Sequence, residues 1–436
     1  MKTLRNVLFI VVLISLSLSA CAPAQDKGIS GEQVTIRIWD FGGAEFEWIE
    51  SIAIPEFNKK YPNIKIEHLG IPESDYSTKV DTAITANDVP DIALQSYMYK
   101  LWKAGHILPL NDYMAKDGIK ADDFFPIYKS WGMLDGKAYI LPVNTYVWGM
   151  VYNKDLFTAA GLPELTPETV VTYEEWLVYA RKINKSADTL EERVFGSTDF
   201  PPNWNAMNNF MSDPYVLGAD GRNCKANAAT DDWVKTWTAL TTAYNEDLTV
   251  DSAGGLVGDT SWGDLMKQGK LGMMPGTYGD ALAQQKAGVN VGLAGQPVVT
   301  AGWKGNVGAW MDAYAIMKGS QHPDEAWLFL KFLATDVALM KANAECDSCG
   351  NAPSLLSQAE EWAGSDPMRK DYFTLLTRVV PPPFSPDVWT AVDPFYEAFR
   401  MMTEEKADVK LTVESTAEEC QTKLDELWII YDELGQ

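Results

Sequence analysis

Residues 34–94 switch repeatedly between two hydrophobic periods, and nothing else in the chain narrows its folding options so far. Val34-Thr-Ile-Arg-Ile-Trp39 puts an apolar or β-branched residue at alternate positions, the pattern of a strand with a buried face. Asp40-Phe-Gly-Gly43 interrupts it. From about Ala44 to Lys60, Phe46, Ile49, Ile52, Ala53 and Phe57 fall on one face of a helix. Pro62 ends that helix, Ile64-Lys-Ile-Glu-His68 is a second strand, Tyr76 to Ala86 is helical, and Asp91-Ile-Ala-Leu94 is a short buried strand. This β-α-β-α-β order predicts an open α/β sheet. Ligands of such sheets bind beyond the carboxyl ends of the strands, where Asp40, Phe41 and Gln95 stand.

The rest of the chain extends the α/β reading. Lys137 to Pro142 is expected as a strand and Asn144 to Tyr152 as an extended, aromatic-rich run. Asp155 to Ala160 is a short helix closed by Gly161. Thr172-Tyr-Glu-Glu175 is a capping box opening a helix from Tyr173 to Ile183. A second α/β region follows, to about Gly305. Val307 to Met317 is a strand and Pro323 to Leu333 a helix with proline in its first turn. Pro381-Pro-Pro383 breaks the chain before two closing helices, Asp393 to Met402 and Thr416 to Ile430.

The first 33 residues lie outside this pattern. Lys2 and Arg5 precede a short apolar run, Val7 to Leu18, and then Leu18-Ser-Ala-Cys21. The run is shorter than the roughly 20 residues a membrane span needs, and the whole has the layout of a signal peptide. Its end resembles a bacterial lipobox. Residues 1–20 are therefore expected to be removed, Cys21 to carry lipid, and 21–33 to serve as a flexible tether. The formal net charge of −24 argues against nucleic acid as a partner.

Side-chain chemistry excludes several enzyme classes. With three His, and no Gly-x-Ser-x-Gly, His-Glu-x-x-His or P-loop sequence, the common triads and metal sites are not supplied, and neither metal nor cofactor is expected. Besides Cys21 there are Cys224, Cys346, Cys349 and Cys420, which allow three disulfide pairings; a small Cys346–Cys349 loop is the preferred one. The chain also carries 16 Trp and 18 Tyr. Such amphipathic rings suit the C–H faces of sugars, although most are expected in the core.

Five stretches, in order, resemble one family. Phe57-Asn-Lys-Lys-Tyr-Pro-Asn-Ile-Lys65 is similar to its step from first helix to second strand. Tyr76-Ser-Thr-Lys-Val80 through Asp88-Val-Pro-Asp-Ile92 matches its next helix and strand. Leu141-Pro142, Tyr152-Asn-Lys-Asp-Leu156 and Ala160-Gly-Leu162 match a crossing segment. Lys270-Leu-Gly-Met-Met274 and His322-Pro-Asp-Glu-Ala-Trp-Leu-Phe-Leu-Lys-Phe-Leu333 complete the set. The chain thus resembles the extracellular solute-binding proteins of ABC importers, in the group that includes maltose-binding protein.

The resemblance implies a two-lobed α/β periplasmic-binding-protein fold of type II-like topology. Its lobes are discontinuous and joined by a hinge, with ligand in the cleft between them. One lobe would comprise residues 34–144 and 306–365, the other 145–305 and 366–436. The same resemblance implies that Asp40, Phe41, Glu45, Gln95, Asn144, Tyr146, Trp204, Tyr278 and Trp389 face ligand. Trp303, Trp310 and Asp312, which flank the return crossing, could reach it too. A sugar ligand, closure about the hinge, delivery to a membrane permease, a lipid-anchored location outside the cytoplasmic membrane and a monomeric state follow as expectations. An anchored glycoside hydrolase, which needs two carboxylates across a sugar, and a binder of polyamine, peptide or glycerol phosphate ester are the competing readings.

Overall fold

In the computed structural model the described residues are 33–43, 46–95, 98–198, 217–218, 220–250, 256–303, 308–344, 352–380 and 385–434. Twelve strands occur among them, labelled in chain order. They are β1 Val34–Asp40, β2 Ile64–Gly70, β3 Ile92–Leu94, β4 Met133–Leu134, β5 Lys137–Ala138, β6 Leu141–Val147, β7 Gly149–Asn153, β8 Phe195–Ser197, β9 Leu271–Gly276, β10 Val291–Ala294, β11 Ala309–Ile316 and β12 Ala352–Pro353.

One sheet has the order β12-β6-β11-β3-β1-β2 and a second β10-β7-β9-β8. β1 pairs parallel with β2 and β3, as the βαβ pattern requires, whereas β11 runs antiparallel to β3 and β6. Along β1 the alternation is plain: Val34, Ile36 and Ile38 are buried and Thr35 is exposed. It fails at the carboxyl end, where Trp39 and Asp40 are both buried. A fully buried carboxylate at a strand end needs partners.

Local departures from the sequence pattern have identifiable causes. The first helix begins with a π-helical stretch, Ile49–Ala53, before the α-helix Ile54–Lys60. Pro55 has no N–H to return to the preceding turn, and a wider turn accommodates the missing bond. The strand expected over Lys137 to Pro142 divides into β5 and β6. β4 and β5 form a hairpin through Asp135 and Gly136, both at positive φ. β6 pairs with β11 as far as Val147, so the first sheet runs beyond Asn144. The capping box at Thr172 and Glu175 forms, and its helix spans Tyr173–Ile183.

The two sheets meet where the chain crosses between them. Only Trp148 separates β6 from β7, and its N–H donates to Gly308 O at 2.8 Å. Gly149 then passes so close to β10 that a Cβ there would lie 2.7 Å from Ala294 O. Behind the crossing, the Tyr372 hydroxyl of the helix Pro367–Thr377 accepts the Val147 N–H at 3.0 Å.

The second sheet packs against the helix Tyr173–Ile183, on which the helices Asp231–Asn245, Pro394–Thr403 and Val409–Glu433 are layered in turn. Trp176, Trp233, Trp237, Phe395 and Phe399 fill that core, and Trp237 stacks on Phe395 at 5.8 Å. Cys224 and Cys420, both fully buried, are joined by a disulfide. Cys21, Cys346 and Cys349 lie outside the described residues, so the preferred Cys346–Cys349 pairing is compatible with this bond and otherwise untouched. No helix among the described residues is long and apolar enough to cross a membrane.

Candidate functional site

The antiparallel pair β6–β11 carries side chains to the crossing. Its register sets Asn144 opposite Asp312 and Tyr146 opposite Trp310. Directly opposed residues share a sheet face, as do residues two apart on one strand. Asn144, Tyr146, Trp310 and Asp312 therefore form a two-by-two patch beside Trp148. Four of the twelve expected site residues are brought together here.

Polar groups in the patch are held in place by one another. The Asp312 carboxylate accepts from Asn144 Nδ2 at 3.3 Å and from the Tyr146 hydroxyl at 3.4 Å. Asn144 Oδ1 in turn accepts from Asn343 Nδ2 at 2.5 Å, a contact from the helix Val337–Ala344. Trp131 meets Trp310 edge-on with ring centroids 4.5 Å apart, and Trp148 meets Tyr146 edge-on at 5.1 Å. Asn144 and Asp312 are buried, while Tyr146 and Trp310 keep part of their surface. The arrangement is a half-open pair of rings over fixed hydrogen-bonding groups.

Asp40 anchors the neighbouring edge. Its Oδ1 accepts the Gly42 N–H at 2.8 Å. Its Oδ2 accepts from His68 Nε2 at 2.6 Å and from the Tyr314 hydroxyl at 3.1 Å. Burial, followed by the charges of Asp40 and Asp312, pushes the Tyr314 phenol well up, so it stays a donor. Asp40 is thus enclosed by protein partners beneath the loop it starts, rather than open to a ligand in this conformation. Phe41, in that loop, is half-buried and packs edge-on against Tyr76 at 5.0 Å. Gln95 follows β3: its N–H donates to Ala313 O at 2.9 Å and its Nε2 to Ala93 O at 3.3 Å. Its Oε1 is buried with no donor among the described residues.

Other expected residues fall elsewhere. Tyr278 begins the helix Tyr278–Lys286 and is buried behind the crossing. There it meets Trp362 edge-on at 4.9 Å and accepts from Arg369 Nε at 3.2 Å. Tyr372, whose hydroxyl accepts the Val147 N–H, packs against it at 5.7 Å. Trp303 is half-buried in a small recess with Gln296, Val298 and Arg378. Glu45 and Trp204 lie outside the described residues. Trp389 belongs to the helix Val388–Val392, with its side chain outside the description.

Some contributors escaped the sequence reading. Tyr314 could have been found, because Trp310, Asp312 and Tyr314 alternate along one strand. His68, Trp131 and Asn343 arrive from separate elements and carry no local signal. Trp102 is another: it packs against the hydrophobic cores of both sheets and stacks on Tyr431 of the C-terminal helix at 6.2 Å. Lys103 Nζ lies 4.8 Å from the centre of the same Tyr431 ring. These residues join the helix Met98–Lys103, which follows β3, to the C-terminal helix. Among the described residues, no three His, Cys, Asp or Glu gather in a way that could hold a metal ion.

Comparison with known proteins agrees with this architecture. The profile of the bacterial extracellular solute-binding proteins matches residues 42–340. A binding protein of Brucella abortus (strain 2308) is 26% identical over 337 residues, which is 74% of this chain and 76% of that protein. An ABC substrate-binding protein from Listeria monocytogenes, solved in complex with cycloalternan, shares the fold with a TM-score of 0.71 at 19% identity, covering 90% of this chain and 100% of that one. An ABC transporter solute-binding protein from Thermotoga lettingae, bound with α-D-tagatose, gives a TM-score of 0.72 at 18% identity, covering 90% and 100%. The fold is the two-lobed one in which a cleft opens where the chain crosses between sheets. With the profile spanning most of its length, the chain belongs to the bacterial extracellular solute-binding proteins, a family of binders and not of enzymes.

Proposed function

We propose that this protein captures a sugar in its cleft, closes about the crossing at Trp148, and delivers the sugar to the permease of an ABC importer. The observation that carries the proposal is the patch of Asn144, Tyr146, Trp310 and Asp312 at the crossing. Tyr and Trp rings offer apolar faces to pyranose C–H groups, while a carboxylate and an amide fix hydroxyls. The named ligands of the two solved relatives, cycloalternan and α-D-tagatose, support a carbohydrate. Phe41, Gln95 and, from outside the described set, Glu45, Trp204 and Trp389 would complete the contacts from the loops. Tyr278 and Asp40 would act through packing and loop placement.

Closure requires only that the sugar bind the closed form better than the open one. The lobes would comprise residues 34–144 with 306–365 and residues 145–305 with 366–436, hinged at the β6–β7 junction. Lipid on Cys21 would keep the binder near its permease and raise the effective concentration. The test is a panel of tagatose, mannotriose and cycloalternan, read by calorimetry and thermal shift, with product analysis by chromatography. Binding without turnover is expected. No binding by any carbohydrate, with binding of a polyamine or peptide instead, would overturn the sugar assignment.

A further inference from the structure

We propose that His68 is the positioning residue of the cleft loop Phe41–Gly43: its imidazolium is the counter-ion of buried Asp40, and ligand affinity therefore falls when that proton is lost. The proposal rests on the sugar-binding reading for its ligand, but its foundation is geometry within the chain itself. His68 bridges two carboxylates, with Nε2 2.6 Å from Asp40 Oδ2 and Nδ1 2.9 Å from Glu50 Oε1. Both nitrogens face acceptors, so both must carry hydrogen for both contacts to be bonds, and that species is the cation.

The two carboxylates are not equivalent. The Asp40 side chain is 0% exposed and that of Glu50 is 65% exposed, while His68 itself is 6% exposed. Glu50 can turn to water; Asp40 cannot. Among the described residues, the other groups that face Asp40 are neutral: the Gly42 N–H and the Tyr314 hydroxyl, with the Tyr76 ring close by. The nearby charge on the β11 side is Asp312, which is also negative. Loss of the His68 proton would leave Asp40 a buried anion without a compensating cation, an expensive state.

Asp40 transmits that state to the loop. Its Oδ1 bonds the Gly42 N–H, and Gly42, at φ +66°, packs on Gly70 so tightly that a Cβ would sit 2.9 Å from Gly70 Cα. Asp40 thus fastens the loop against the end of β2. The proton balance supports this assignment. Burial lowers the His68 pKa, but the hydrogen bonds and charges of Asp40 and Glu50 raise it by more, leaving it above 6.5. A raised pKa means that the stabilisation is fully present below about pH 6.5 and is lost as pH rises through the folded value.

The test uses the full chain and its His68→Gln and Glu50→Gln variants. Glutamine keeps a neutral donor toward Asp40 but cannot carry charge. Without ligand, imidazole nitrogen NMR should show both His68 nitrogens protonated at pH 6, assigned by the signal missing from H68Q. The melting temperature of the parent should exceed that of H68Q most near pH 6, and the gap should narrow above the His68 pKa. With whichever of tagatose, mannotriose or cycloalternan binds, affinity of the parent should fall about tenfold across the titration, the scale of one charge-assisted bond. H68Q should bind at the weaker level throughout, with a flat profile; E50Q should keep the profile with its midpoint moved down. A neutral His68 at pH 6, or an unchanged pH profile in H68Q, overturns the proposal. If no sugar binds at any pH, the sugar reading fails, while the NMR and melting arms still decide the role of His68.

Discussion

Breaking the Cys224–Cys420 bond tests how the C-terminal helix is held. The bridge closes a span of 196 residues. Chain entropy for a loop of that length, −2.1 − 1.5R ln n in cal/mol/K, gives about 5 kcal/mol at 25 °C. Both sulfurs are fully buried beside a second set of ties. Gln421 Oε1 accepts the Cys224 N–H at 2.9 Å, Gln421 Nε2 donates to Arg222 O at 3.0 Å, and Trp428 Nε1 donates to Gly221 O at 3.0 Å. These ties keep the folded geometry similar without the bond, so its loss should act mainly on the unfolded chain. With an unfolding entropy of about 2.1 cal/mol/K per residue, a 400-residue body unfolding as one unit would lose roughly 6 °C in Tm. Scanning calorimetry of the oxidised protein, the same protein in reductant, and C224A/C420A measures this. Agreement of all three within about 1 °C would show that the bridge does not act through the unfolded chain, whose entropy a cross-link over so long a span must lower. A free-thiol count on the unfolded, unreduced variant also tests the Cys346–Cys349 pairing, which predicts none from those two residues.

Trp310→Ala and Tyr146→Ala should each weaken sugar binding about 10- to 100-fold by calorimetry, the range expected for loss of a ring contact worth roughly 1–3 kcal/mol; Tyr278→Ala, which alters packing behind the crossing, should lower Tm more than affinity. Trp102→Ala should shift the unliganded protein toward more separated lobes, seen as a larger radius of gyration in solution scattering, and an unchanged radius would show that the Tyr431 contact does not bias closure. Gly149→Ala forces a Cβ to within 2.7 Å of Ala294 O and should destabilise the fold by several degrees in Tm.

The parts that were legible in sequence are those encoded by neighbours in the chain. Val34, Ile36 and Ile38 announce β1 by alternation alone, and Thr172 with Glu175 announces a helix through one reciprocal cap. The π-helical opening at Ile49 was not legible, because it depends on how Pro55 is absorbed within a helix whose periodicity looks regular. The site was legible only as a location. Asp40 was expected at a strand end, and it is there, but its closure by His68 and Tyr314 joins residues 28 and 274 positions away. Tyr278 was expected to face ligand through the family resemblance, not through any pattern of its own neighbours. Its burial depends on Trp362 and Tyr372, which fold behind it from a later segment. The 224–420 disulfide was unreadable for the same reason: four cysteines fix the number of pairings and not the choice.

The single residue between β6 and β7 has a mechanical consequence. A long linker would let two plates translate, twist and bend, and a ligand would have to remove all of that freedom on binding. Here Val147 and Gly149 are locked into their separate ladders, and Trp148 is itself tied to Gly308. Closure about this junction would therefore be concentrated at this crossing in a few torsion angles. A ligand would then be sorted by the angle at which the plates come to rest against it. A sugar slightly too large or too small would be rejected by a wrong angle carried to the far rim, away from the atoms that differ.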